Sequence, residues 1–184
     1  MELSVSDRPL GRWLFGKLPS HGDFISRGLS HDLRDALDIW LSAELRDAQG
    51  RYGTGFDDRY FAAPAWMFVD CDRSGQWSGG ALCASVDAVG RLFPVIAGAP
   101  ANDAHDAIIA ATGCIELLFA TFSNTWSADQ MIAAQADAIG GPHASVPWQT
   151  DRAAWALIGE SGPPIVMPGR YPRGVIARMI EVAA

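Results

Sequence analysis

Three strand-like runs follow one another through the middle of the chain with only short turns between them, and this constrains the fold most. Residues 65–69, 77–86 and 92–97 are dominated by apolar and aromatic side chains. They are separated by Asp70-Cys71-Asp72-Arg73-Ser74-Gly75 and by Asp87-Ala88-Val89-Gly90, both turn compositions. Connections this short are too brief for the crossover a parallel pair needs, so the runs are expected to form an antiparallel meander. Pro94 has no N–H to give to a ladder, so its strand is expected to lie at an edge or to bulge there.

Helical periodicity flanks the meander. Trp13-Leu14-Phe15 reads as a first strand entering a loop at Ser20-His21-Gly22-Asp23. Ser30 then offers an N-cap to a helix whose apolar positions include Leu33, Leu37, Leu41 and Leu45, with Gly50 as the expected stop. After the meander, Asn102 or Asp103 can cap a long helix through Ile108, Ile115, Leu118 and Phe122, apolar around much of its circumference and therefore central to packing. Ser127-Ala128-Asp129-Gln130 is a capping-box pattern opening a further helix that Gly140-Gly141-Pro142 stops. Residues 153–158 look like a last strand, 162–172 a proline-rich loop, and 173–182 a closing helix with Pro172 near its first turn. The expected class is α+β: an α/β sandwich with an antiparallel sheet of about five strands flanked by three or four helices.

Composition decides what such a domain has to rely on. The chain has 184 residues, 49% of them hydrophobic and 19% charged, with no repeat or linker, which fits one domain over residues 1–184. A core of that size buries roughly 70% of the unfolded surface, so no disulfide or metal is needed to fold it. Cys71, Cys83 and Cys114 lack any C-x-x-C spacing and read as small buried hydrophobes in a reducing, cytoplasmic setting. A formal net charge of −7 without a basic cluster excludes nucleic acid as a partner, and the apolar stretch 107–115 falls short of the roughly 18 residues of a bilayer span. Direct membrane insertion is therefore not expected.

Several patterns invite a chemical reading. Gly11 to Lys17 satisfies G-x-x-x-x-G-K, but Leu18 stands where a P-loop needs Ser or Thr, and Arg12-Trp13-Leu14-Phe15 is too bulky to wrap a phosphate. Ser20, His21 and Asp23 contain the residue types of a hydrolase triad, yet neighbours on one turn more often bond their own backbone than converge on a reacting atom. His21, His31, His105 and His143 lack metal-ligand spacing, so neither metal nor cofactor is expected. Asp57-Asp58 and Asp70-x-Asp72 read as solvated turn carboxylates, and most of the seven tryptophans as core residues. Asp23, Arg27, Asp87 and Arg91 stand out, because both turns that carry them lie at strand ends from which a rigid sheet can aim side chains at a partner. The alternative is that they tie down those turns by pairing with each other.

The aromatic strand followed by Gly16-Lys17-Leu18-Pro19, Ser20, Gly22-Asp23-Phe24 and Arg27-Gly28-Leu29 resembles the opening of the TagF family of bacterial type VI secretion. Trp40-Leu41, Tyr60 with Ala63-Pro64-Ala65-Trp66 and Phe68, then Ser85-Val86-Asp87 with Gly90-Arg91 and Phe93-Pro94, resemble its next blocks in order. The chain departs from that pattern at Leu92, where the family usually has tyrosine, and in having only Trp148 and Trp155 where paired tryptophans are usual. The resemblance implies a longin-like α/β sandwich and no catalysis. It further implies a post-translational repressor that binds a cytoplasmic forkhead-associated scaffold protein; the chain itself is expected in the cytoplasm, recruited to the inner-membrane assembly, as a monomer or weak dimer. A structural adaptor of the secretion baseplate, and a small hydrolase using the 20–23 loop, are the alternatives.

Overall fold

The computed structural model describes residues 9, 11–72, 74–134, 153–157 and 165–182. The strands are β1 (Trp13–Gly16), β2 (Ile25–Arg27), β3 (Trp66–Cys71), β4 (Trp77–Cys83), β5 (Val95–Ala101), β6 (Ala154–Leu157) and β7 (Ile165–Pro168). Among the described residues they form one antiparallel seven-stranded sheet in the order β2-β1-β5-β4-β3-β6-β7. The helices are α1 (His31–Tyr52), α2 (Phe56–Ala62), α3 (Ala104–Asn124), α4 (Ala128–Ala133) and α5 (Val175–Val182), with a 3-10 turn at Gly53–Gly55 before α2.

Helices cover both faces of the sheet, which is why its central strands are apolar almost without alternation. On one face Trp13, Phe15, Trp66, Phe68, Leu82, Ile96 and Trp155 meet α1, α2 and α5. On the other, Leu14, Met67, Ala81, Cys83, Val95 and Ala97 meet α3 and α4. The two layers are built from different sizes of side chain. Aromatic rings fill the first, with Trp13–Phe68, Phe68–Trp155 and Trp155–Trp40 centroids 6.1, 4.8 and 5.4 Å apart. In the second layer α3 comes so close to β4 that a Cβ on Gly79 would sit 1.8 Å from the Ala107 carbonyl oxygen, a contact only glycine permits.

The helix ends follow the local sequence. The Ser30 hydroxyl accepts from Leu33 N at 3.3 Å, and Asp103 Oδ1 accepts from Asp106 N at 2.9 Å. The capping box of α4 is reciprocal: Gln130 N donates to Ser127 Oγ at 3.2 Å and Ser127 N to Gln130 Oε1 at 2.8 Å. Gly50 does not stop α1, which continues to Tyr52 and ends on Gly53 at a positive φ of 54°. A glycine inside a helix costs only about 1 kcal/mol, less than packing of the surrounding turns against α5 and α2 can supply.

Other expectations change too. Among the described residues the sheet has seven strands rather than about five, because β2 is three residues long and β7 lies in the segment read as a proline-rich loop. Strand β6 is consequently not the last. Pro94 marks neither an edge nor a bulge: β5 begins at Val95, between β1 and β4, so Pro94 stands just outside the ladder where its missing N–H costs nothing. Cys71 is half-buried, unlike Cys83 and Cys114. Asp70 is no solvated turn residue but a buried carboxylate of β3 accepting from Arg170 Nε at 2.6 Å, and Asp57-Asp58 begin α2. Trp40, Trp77 and Trp126 are half-buried, while the expected stop at 140–142, His143 and Trp148 lie outside the described residues. Finally, α3 is 21 residues long and contains an 18-residue window of mean hydropathy 1.5, so it is long and apolar enough to cross a membrane; here its inner face is spent on β4, β5 and β3.

Candidate functional site

The two loops singled out in the sequence meet at one end of the sheet. Strand β1 leaves past Pro94 through Gly16, whose φ of 125° and missing Cβ are both required: a Cβ there would lie 2.1 Å from the Pro94 carbonyl oxygen. The chain then turns, with His21 N donating to the Leu18 carbonyl at 3.0 Å. Opposite it, β4 and β5 are joined by a hairpin prolonged beyond the strands by the Val86–Leu92 bridge. Asp87 shapes the tip, its Oδ1 accepting from Val89 N at 3.1 Å and Arg91 N at 2.9 Å.

These loops interlock through backbone and side chain alike. Ala88 N donates to the His21 carbonyl at 2.8 Å, Arg91 Nη2 to the Gly22 carbonyl at 2.6 Å, and Ser85 Oγ to the Lys17 carbonyl at 2.7 Å. At the centre, Lys17 Nζ lies 3.0 Å and Arg91 Nε 2.6 Å from Asp87 Oδ2. The lysine is buried, with its ammonium 4.9 Å from the centre of the Phe24 ring, and Phe24 in turn meets Phe93 edge-on at 4.7 Å. Burial alone would push the Asp87 carboxyl up. The hydrogen bonds from Arg91 N, Lys17, the Arg91 guanidinium and Val89 N outweigh it and hold the group well below the usual carboxylate range.

The interlock reaches the helices. The Tyr60 hydroxyl of α2 accepts from Ser85 N at 3.1 Å and donates to the Ser85 carbonyl at 3.3 Å. Ser20 Oγ donates to the Trp126 carbonyl at 2.7 Å, and Arg12 Nη1 donates to Ile132 O at 3.1 Å and to Ala134 O, gripping the end of α4. Burial pushes the Cys83 and Cys114 thiols up to about 12, which keeps them protonated and inert.

Of the four residues expected at the site, Asp87 and Arg91 are brought together. Asp23 stands apart and accepts from Phe24 N at 2.8 Å, within its own turn. Arg27 reaches away to α4, where its Nε donates to Asp129 Oδ1 at 2.6 Å on an exposed surface. Sequence reasoning missed Lys17 as the residue that joins the loops. The signal available was that Lys17 is the only lysine of the chain, set in the first motif beside a strand end.

The geometry also answers the two chemical readings. Gly11 to Lys17 runs through β1, and Lys17 is committed to Asp87, so this stretch does not form a phosphate-wrapping loop. Ser20 Oγ donates to the Trp126 carbonyl at 2.7 Å and lies 2.9 Å from His21 Nδ1, while Asp23 accepts from Phe24 N, so the three side chains do not converge in this arrangement.

Residues 13–139, which contain both loops, match the family described as TagF N-terminal domain, type VI secretion system-associated. The chain belongs to the TagF family. A crystal structure of PA0076 from Pseudomonas aeruginosa PAO1 superposes with a TM-score of 0.70 over 92% of this chain and 93% of that one, at 21% identity. That likeness shows a shared fold and extends it beyond the segment matched to TagF. No curated protein matches the chain in sequence.

Proposed function

We propose that this protein is a non-catalytic, post-translational repressor of type VI secretion that binds a forkhead-associated scaffold protein of the machine in the cytoplasm. Membership of the TagF family supports the link to type VI secretion. The observation that carries the reading further is the interlocked loop end. Its polar groups are spent on holding the loops together, and what it turns outward is Phe24 at 47% exposure and Val89 at 71%, beside the half-exposed Arg91 guanidinium. Apolar side chains and an arginine on a rigid rim are the composition of a protein contact, not of a reaction centre. In this reading Phe24, Val89 and Arg91 touch the scaffold, Asp23 and Arg27 flank the contact, and Asp87 holds Arg91 in place.

Overproducing the chain in its bacterium should silence export of the secreted tube protein while levels of the machine's structural proteins stay constant, and deletion should raise export. Lost export on deletion would instead make the protein a baseplate adaptor. At the surface itself, Val89→Asp and Phe24→Ala should each weaken scaffold binding by about 1 to 3 kcal/mol while the fold remains intact. Unchanged binding by both variants removes this rim from the function.

A further inference from the structure

A second surface lies outside both motif loops, in the open depression between the C-terminal half of α1 and the turn leading into α5. Arg46, Arg51 and Arg173 line it together with Asp47 and Gly174. Among the described residues Arg46 and Arg173 are the two cations that no other side chain or carbonyl engages. The rest are held by carboxylates, by carbonyls or, for Arg59, by the Tyr52 ring. In a chain of formal net charge −7, two uncommitted guanidiniums at one depression, with Arg51 beside them, are a local reversal of sign.

We infer that this depression binds a phosphate group carried on a side chain of a partner protein. Arginine forks suit phosphate, since each can give two parallel N–H bonds to its oxygens, and two unpaired guanidiniums match the charge of a phosphate monoester better than that of one carboxylate. The N-terminal amides of α5 are not available to it. Those of Gly174, Val175 and Ile176 face the buried Glu44 carboxylate, whose negative form would repel an anion there, so arginine side chains would hold it. Every lining residue except Gly174 is exposed, and such a shallow site cannot enclose a small ligand, as free metabolites require; it suits a group presented by another macromolecule. The acidic balance of the chain disfavours a nucleic-acid backbone as that macromolecule. Asp47 on the same rim opposes any anion, which gives the proposal a second sign to test.

The test is an NMR titration of the full chain with a short peptide carrying one phosphothreonine, its unphosphorylated twin, and inorganic phosphate. The phosphopeptide should move the Gly174 amide and the Arg46 and Arg173 Nε–H signals saturably. Arg46→Gln and Arg173→Gln should each weaken binding about tenfold, Asp47→Asn should tighten it about threefold, and Arg34→Gln, far along α1 and paired with Asp35, should do nothing. No saturable shift at these signals up to about 20 mM phosphopeptide overturns the proposal, as does binding that is indifferent to both arginine variants. Inorganic phosphate or the unphosphorylated twin binding as tightly as the phosphopeptide overturns the partner-borne phosphate. None of these readouts involves secretion, so the result stands or falls apart from the repressor reading.

Discussion

Asp87 at the hairpin tip and Glu44 beneath α5 are both buried carboxylates met by backbone amides, yet their surroundings drive them in opposite directions. Burial pushes each carboxyl up. At Asp87 two amides are joined by Lys17 and Arg91, and the group stays charged. At Glu44 the amides of Gly174, Val175 and Ile176 pull down, Asp47 pushes further up, and the carboxyl remains raised, with Oε2 lacking a hydrogen-bond partner among the described residues. Three amides do not offset the burial of a carboxylate here, whereas two amides and two cations do.

The most damaging way to break this contrast is Lys17→Met, which leaves Asp87 buried with Arg91 alone. A loss of about 3 kcal/mol is expected in urea unfolding. A loss below about 1 kcal/mol would mean that the ammonium is not what keeps Asp87 charged. Next comes Glu44→Ala, which strips the acceptor from the start of α5 and should cost about 1 kcal/mol, as loss of a cap does. Glu44→Gln keeps an acceptor and discards the charge, and it should be at least as stable as the parent at neutral pH.

The two carboxylates also carry opposite pH signatures. The folded pKa of Asp87 lies below its unfolded value, so its stabilisation is complete above the ordinary carboxylate range, near pH 4, and is lost as pH falls through that value and below. The folded pKa of Glu44 lies above its unfolded value, so the native state takes up protons there and is stabilised as pH falls from neutral towards the ordinary glutamate range. The stability gap between the parent and Glu44→Gln should therefore narrow as pH falls from neutral towards the ordinary glutamate range. A gap that does not change with pH would refute the raised carboxyl. The smallest effect is expected from Arg27→Ala, because its pair with Asp129 is exposed, and Tm should stay within about 2 °C of the parent.

What could be read ahead of the structure follows from how local each cause is. The meander, the caps at Ser30, Asp103 and Ser127, and the long apolar α3 depend on neighbours within a few residues, and all are present. Strand β2 and helix α2 are too short to show a period. Strand β7 holds its place by pairing with β6, not by its composition. At the site, Asp87 and Arg91 are four residues apart and their pairing was among the readings the turn allowed. Lys17 meets Asp87 across seventy residues, and a lysine is the residue least expected to be buried, so only the docking of the two loops reveals it. Glu44 was invisible for the same reason: within the pattern of α1 it looks like a solvent-facing acid, and it is buried because the turn into α5 lies over it.

The two ends of the sheet bear on how this protein can be recognised. Strand β2 offers a neighbour a rail of only three residues, and β7 closes on Pro168, which has no N–H to share. A partner strand laid along either border would find too few backbone groups to register against. Any recognition at those borders would fall to side chains instead of main chain, where it could be retuned one residue at a time without disturbing the sheet that carries it.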